Sequence, residues 1–105
     1  MIVVNVASDF TRFPAGRYKR NGDTSGEGFR ERFLEPALLR GESVVIELDG
    51  TVGYGSSFLE EAFGGVVRKL KMQPSRVLEL VAIKSSDSDL VSEVKQYILD
   101  AGRQI

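Results

Sequence analysis

The chain has 105 residues, enough for one domain with a single core; 42% are hydrophobic and 28% charged, a globular rather than a disordered composition. A formal net charge of -1 supplies no bulk attraction for nucleic acid, and no apolar run approaches the roughly 20 residues a membrane-spanning helix needs. Neither histidine nor cysteine occurs, which removes the commonest general base, a Ser-His-Asp site, disulfides and thiolate chemistry. The expectation is a non-enzymatic cytoplasmic domain spanning residues 1–105, with no metal or cofactor.

Ile2 to Val6 is almost wholly apolar and fits a short buried strand; it lacks the basic region and long apolar core of a signal peptide. Asp9 to Gly22 contains Pro14, Gly16 and the turn pair Asn21-Gly22, so it reads as a loop or irregular hairpin with a short strand around Arg17–Lys19. Arg12, Arg17, Lys19 and Arg20 cluster there, either as a solvated face or as a clamp for a phosphate or an acidic partner. Thr24 and Glu27 have the spacing of a capping box. Phe29, Phe33 and Ala37, with Leu34 and Leu38, then mark one face of a helix that Pro36 should kink near Glu35 and Gly41 should end.

Val44, Val45, Ile46 and Leu48 form a nearly continuous apolar run, interrupted by Glu47, as expected for a strand covered on both faces. It exits through Asp49-Gly50 into a loop carrying Gly53, Tyr54 and Gly55. A second helix starts at Ser56 or Ser57, with Ser57 and Glu60 as a further capping box and Leu59, Ala62, Phe63, Val66, Val67 and Leu70 as its buried stripe. Gly64-Gly65 weakens this helix unless close approach to the sheet compensates. Val77 to Ile83 reads as another strand. Ser86 to Ser88 offers caps for a last helix along Leu90, Val94 and Ile98, ending at Gly102. Alternation of this kind predicts an α/β domain with a mainly parallel sheet and helices on its faces.

In such a sheet ligands gather beyond the carboxyl ends of the strands. Asp49, the loop Gly50–Gly55 and Ser56-Ser57 all belong to that edge. A helix N-terminus behind flexible glycines can hold a phosphate or carboxylate. The loop contains no GxxxxGK[ST] and no dinucleotide fingerprint, and two serines at a helix start serve most often as caps.

The unit running from Asp49-Gly50 through Gly53-Tyr54 to Ser57-Phe58-Leu59 and Glu61-Ala62-Phe63-Gly64 resembles the middle of STAS domains, the fold of bacterial anti-sigma-factor antagonists. With Gly16-Arg17, Ser25-Gly26-Glu27, Phe29 and Phe33-Leu34-Glu35-Pro36, most of the chain resembles small STAS-like proteins grouped as a bacterial domain of unknown function. The resemblance implies a small sheet of about four strands with three helices. It also implies a phospho-acceptor at Ser56 or Ser57 and a kinase-like ATPase as partner. Two positions depart from the antagonist pattern: Gly55 stands where that pattern has aspartate, and Phe58 where it has glycine. The first reading is a regulatory module that binds a protein through Asp49, Gly53, Tyr54, Gly55, Ser56, Ser57 and Phe58. The second is a sensor of a nucleotide or other anion at the Gly53–Ser57 loop, with Arg17 as counter-charge.

Overall fold

The computed structural model describes residues 1–104. Its sheet consists of β1 (Ile2–Asn5), β2 (Val44–Glu47) and β3 (Val81–Lys84), all parallel and in the order β1-β2-β3. Among the described residues the sheet thus has three strands rather than about four. The strand expected around Arg17–Lys19 is absent, and Lys19–Asn21 forms a 3-10 turn that Gly22 ends. Among the described residues five helices, rather than three, accompany the sheet: α1 (Val6–Asp9), α2 (residues 26–39), α3 (residues 56–70), α4 (Pro74–Leu80) and α5 (Ser88–Ala101).

A sheet whose strands add in sequence order through right-handed crossovers places successive helices on the same face. Val4, Val44, Ile46 and Val81 accordingly point into the core with Leu34, Leu59, Phe63, Val67, Val94 and Ile98. The opposite face, expected to be covered, is largely open: Val3 is 56% exposed, and Ala82 and Lys84 are also exposed. Val45 stays buried because it occupies the central strand between Val3 and Ala82.

The segment Val77–Leu80, expected to be strand, is helix. Val77, Leu80 and Val81 are buried at spacings of three and four while Ser75, Arg76 and Glu79 face water, which is a helical period. Pro74 opens α4 at a position where its missing N–H costs nothing. β3 begins only where the Val81 N–H has closed the last turn on Val77 C=O.

Both long helices contain a π-helical stretch, Arg30–Leu34 in α2 and Glu60–Gly64 in α3. In α2 this is the physical form of the kink expected near Glu35. The Glu35 N–H reaches back five residues to Arg30 C=O, and the widened turn accommodates Pro36 directly after it. In α3 the Gly65 N–H reaches Glu60 C=O in the same way. Close packing against the sheet was the expected reason for Gly64-Gly65, but the space is taken elsewhere. A Cβ on Gly64 would lie 3.2 Å from Tyr97 C=O on α5, and one on Gly65 would lie 3.0 Å from Arg30 Nε on α2.

The first turns of α2 and α3 meet backbone to backbone. A Cβ on Gly26 would stand 2.4 Å from Phe58 C=O, so only glycine permits this approach. Phe58 packs beside Phe29 at 5.8 Å between ring centroids, and Phe10 lies 5.5 Å from Phe29, which makes an aromatic layer between the two helices. Gly26→Ala must therefore push the helices apart or bend α2. It should lower unfolding free energy by about 1–3 kcal/mol in urea denaturation, the usual cost of overpacking. A change within about 0.5 kcal/mol would mean that this contact is slack.

Candidate functional site

Asp49 follows β2 and ties the carboxyl ends of the strands together. Its carboxylate accepts hydrogen bonds from Ser85 Oγ at 2.8 Å, from the Ser86 N–H at 3.0 Å and from Ser86 Oγ at 3.2 Å. The Ser85 hydroxyl, and after it the Ser86 amide, hold this carboxyl below its ordinary pKa. Asn5 Nδ2 donates to Asp49 C=O at 3.4 Å, which brings in the end of β1. The sequence singled out Asp49 but not Ser85. The only signal was the hydroxyl run Ser85-Ser86 before the Asp87 cap, whose side chain accepts from the Asp89 and Leu90 N–H groups.

The loop after Asp49 turns at Gly50 and Gly53, which have φ of 105° and 145°. Tyr54 points inward, and its hydroxyl donates to Leu48 C=O at 2.7 Å. Burial pushes its phenol up to about 12, so it remains a neutral donor. A shallow groove of about 270 Å³ lies between residues Gly50–Tyr54 and the side chains of Ser85, Asp87 and Leu90. Phe58, expected among the partner-binding residues, is completely buried in the aromatic layer. Ser56 and Ser57 are exposed.

The two long helices begin differently. In α2 the donors are closed: the Gly26 and Glu27 N–H groups bond to Gly16 and Arg17 C=O, and the Gly28 N–H bonds to Ser25 Oγ at 3.1 Å. Ser25 is thus the cap. Thr24, expected in that role, donates its hydroxyl to Ala15 C=O instead, and Glu27 accepts from the Lys19 N–H. In α3 the cap position is Gly55, and no side chain caps the helix. Among the described residues the Ser56, Ser57 and Phe58 N–H groups have no protein acceptor; the first bond is from the Leu59 N–H to Gly55 C=O.

The capping box expected of Ser57 and Glu60 does not form, because Glu60 is held between two arginines. Arg17 Nη1 approaches Glu60 at 2.6 Å, and Arg68 contacts it at 2.6 Å and 3.0 Å. Charge-assisted pairs of this kind outcompete a bond to a backbone amide. Arg17, read as counter-charge for a bound anion, also contacts Glu61 at 3.2 Å. These carboxylates draw its guanidinium a turn beyond the helix start. Residues 12–17 form a strap across both helix starts. The Val52 N–H donates to Arg12 C=O and the Gly55 N–H to Pro14 C=O. The strap leaves Phe13 61% exposed and Val52 65% exposed, with the exposed serines following Gly55.

Since neither serine is a cap, Ser56→Ala and Ser57→Ala should each shift stability by less than about 0.5 kcal/mol. Gly55→Asp should stabilise by a few tenths of a kcal/mol in chemical denaturation, by supplying the missing cap. Glu60 provides the pH dependence. Arg68 first, then Arg17, holds its carboxyl below the ordinary range against the opposing effect of burial. Its stabilisation is complete above the unfolded-state pKa and disappears as pH falls through the lower folded value. Between about pH 6 and pH 3, Glu60→Gln should lose less melting temperature than wild type; parallel curves would show that the pair contributes nothing.

No helix among the described residues is long and apolar enough to cross a membrane. No curated protein and no solved structure matches the chain. A family model described as a STAS-like domain of unknown function (DUF4325) matches residues 25–90, from the Ser25 cap to Leu90 in the first turn of α5. That span holds α2, β2, the glycine loop, α3, α4 and β3, more than half of the chain, so the chain belongs to this family of STAS-like domains.

Proposed function

We propose that this domain is a regulatory interaction module that binds a protein partner through the Gly53–Ser57 edge. The observation that carries this reading is the juxtaposition, on one rim, of two exposed apolar side chains, Phe13 and Val52, with the uncapped start of α3 and its exposed serines. Large apolar groups held in water by backbone hydrogen bonds are typical anchors for a partner surface. The STAS resemblance favours a kinase-like ATPase as that partner, and a cytoplasmic setting goes with it.

Ser56 is the switch in this proposal. A phosphate there adds about -1.5 to -2 charges at an uncapped helix start, where the dipole and free amides favour an anion. Folding is little changed, while the charge presented to the partner is reversed or blocked. Gly55 and Phe58 mean that a kinase acting here reads a different loop from the antagonists' Asp-Ser-Ser-Gly. The anion-sensor reading has less support, because Arg17 is engaged by Glu60 and Glu61 and the adjoining groove is bordered by Asp87.

The test compares wild type, Phe13→Ala, Val52→Ala, Ser56→Ala and Ser56→Glu for partner capture from lysate and for melting temperature. Loss of capture in Phe13→Ala and Val52→Ala, and reduced capture in Ser56→Glu, at unchanged melting temperature, is the expected result. Equal capture by all five would exclude this edge as the docking site.

A further inference from the structure

We propose that the outer edge of β3 receives an extended acidic segment of a protein partner, which adds as a fourth strand of the sheet. This does not rest on the role proposed for the Ser56 edge. The argument begins with backbone phase. In a parallel ladder, alternate residues direct both N–H and C=O to the same neighbour. The Leu48 N–H bonds to Lys84 C=O at 2.8 Å, so Ala82 and Lys84 turn their peptide groups toward β2. Ile83 therefore turns its N–H and C=O away from the sheet, as Val81 does its C=O; the Val81 N–H is already used by Val77 C=O.

The opposite edge of the sheet is partly closed. The Ile2 N–H bonds to Ser43 C=O, so Asn5 points its N–H outward, and there it donates to Asp9 Oδ2 at 2.8 Å. At β3 a groove of about 350 Å³ runs beside the strand instead, lined by Leu78, Val81, Ala82, Ile83 and Lys95. Leu78 and Ile83 are half-buried and offer an apolar wall. An open edge with an apolar flank is a template for strand addition unless something covers it.

Charge decides the occupant. Lys84 and Lys95 are both exposed, and neither is in an ion pair among the described residues. Lys84 stands at the end of β3 on the open face, beside Glu47 of β2, while Lys95 overhangs from α5 on the helical face. A second copy pairing through this edge would bring four lysines together. An incoming strand with adjacent acidic residues would place one carboxylate on each face, because successive side chains alternate. Glu79, the nearest acidic residue on α4, sits 3.6 Å from Arg76 and does not neutralise either lysine.

The probe is a capped peptide, Thr-Val-Asp-Glu-Val-Thr, added to the uniformly 15N-labelled chain. Saturable binding should slow hydrogen exchange of the Ile83 amide at least about tenfold, a local protection effect. Of two peptides N-methylated at alternate amides in opposite phase, one should bind and one should not, since only one set of amides faces the edge. The double variant K84E/K95E, altered only at exposed side chains, should stay folded, with its melting temperature lowered only slightly by the charge placed opposite Glu47. It should bind the acidic peptide at least about tenfold more weakly and accept a Lys-Lys version instead. No saturable binding at millimolar peptide, binding without Ile83 protection, or tolerance of both N-methylated forms would overturn the proposal. Concentration-dependent protection of Ile83 without peptide, with a dimer in sedimentation, would overturn it in favour of a second copy.

Discussion

Glu61 is buried and charged, and its surroundings explain much of the architecture. Arg30, only 6% exposed, reaches it at 3.1 Å, Arg17 at 3.2 Å and Arg68 at 3.7 Å. Arg30 also pairs with Glu35 within its own helix. Glu60 completes the lattice between Arg17 and Arg68. A carboxylate taken out of water is tolerable only when its charge and lone pairs are met, so each of these residues constrains the others. One set of ion pairs joins α2, α3 and the strap. Among the described residues Arg30 Nε has no hydrogen-bond partner; it lies beside the place where a Cβ on Gly65 would lie. The glycine keeps room for that guanidinium.

The same lattice accounts for the position of the two π-helical stretches. Arg30 opens one and Glu60 opens the other. An inserted residue in a helix shifts every later side chain around the axis, and such bulges persist where the gain in contacts offsets the poorer hydrogen bonding. Here the gain is ionic: the bulge in α3 carries Glu60 and Glu61 to the arginines of the strap and of α2. The strap is consequently tied to the start of one helix by its carbonyls and to the body of the other by Arg17. Phe13 is held outward on this fixed support.

The difference between the two helix starts has a similar origin. Backbone carbonyls of residues 16 and 17 satisfy α2, whereas among the described residues no strap carbonyl accepts from the first-turn amides of α3. Pro14 C=O meets the Gly55 N–H, one residue short of the helix. Asp49, the nearest acidic side chain preceding the helix, is committed to Ser85 and Ser86 across the strand ends. The start of α3 is therefore kept open by how its potential acceptors are engaged elsewhere. Ser85 and Asp49 act on the stability of the edge, while the serines of α3 remain on its surface.

Much of the fold is written in local periodicity. The buried stripes of α2, α3 and α5 and the apolar run of β2 repeat at intervals that any partner surface would have to match, so they are legible without knowing that surface. Asp49 and the glycine loop are legible for the same reason: a strand end followed by a tight loop and a helix has few alternative geometries. What the sequence left open were choices between near-equal local options. Thr24 and Ser25 can each cap α2, and the nearby Ala15 carbonyl draws off the threonine. Residues Val77–Leu80 run directly into the β-branched Val81 and Ile83 yet carry a helical burial pattern, and packing of α4 against α5 decides for helix. Ser57 and Glu60 have the spacing of a capping box, but Arg17 comes from 43 residues away to claim the glutamate. Long-range charge pairing is invisible to spacing rules because it depends on which chain segments meet, and only the folded chain brings Arg17, Arg30 and Arg68 around Glu60 and Glu61.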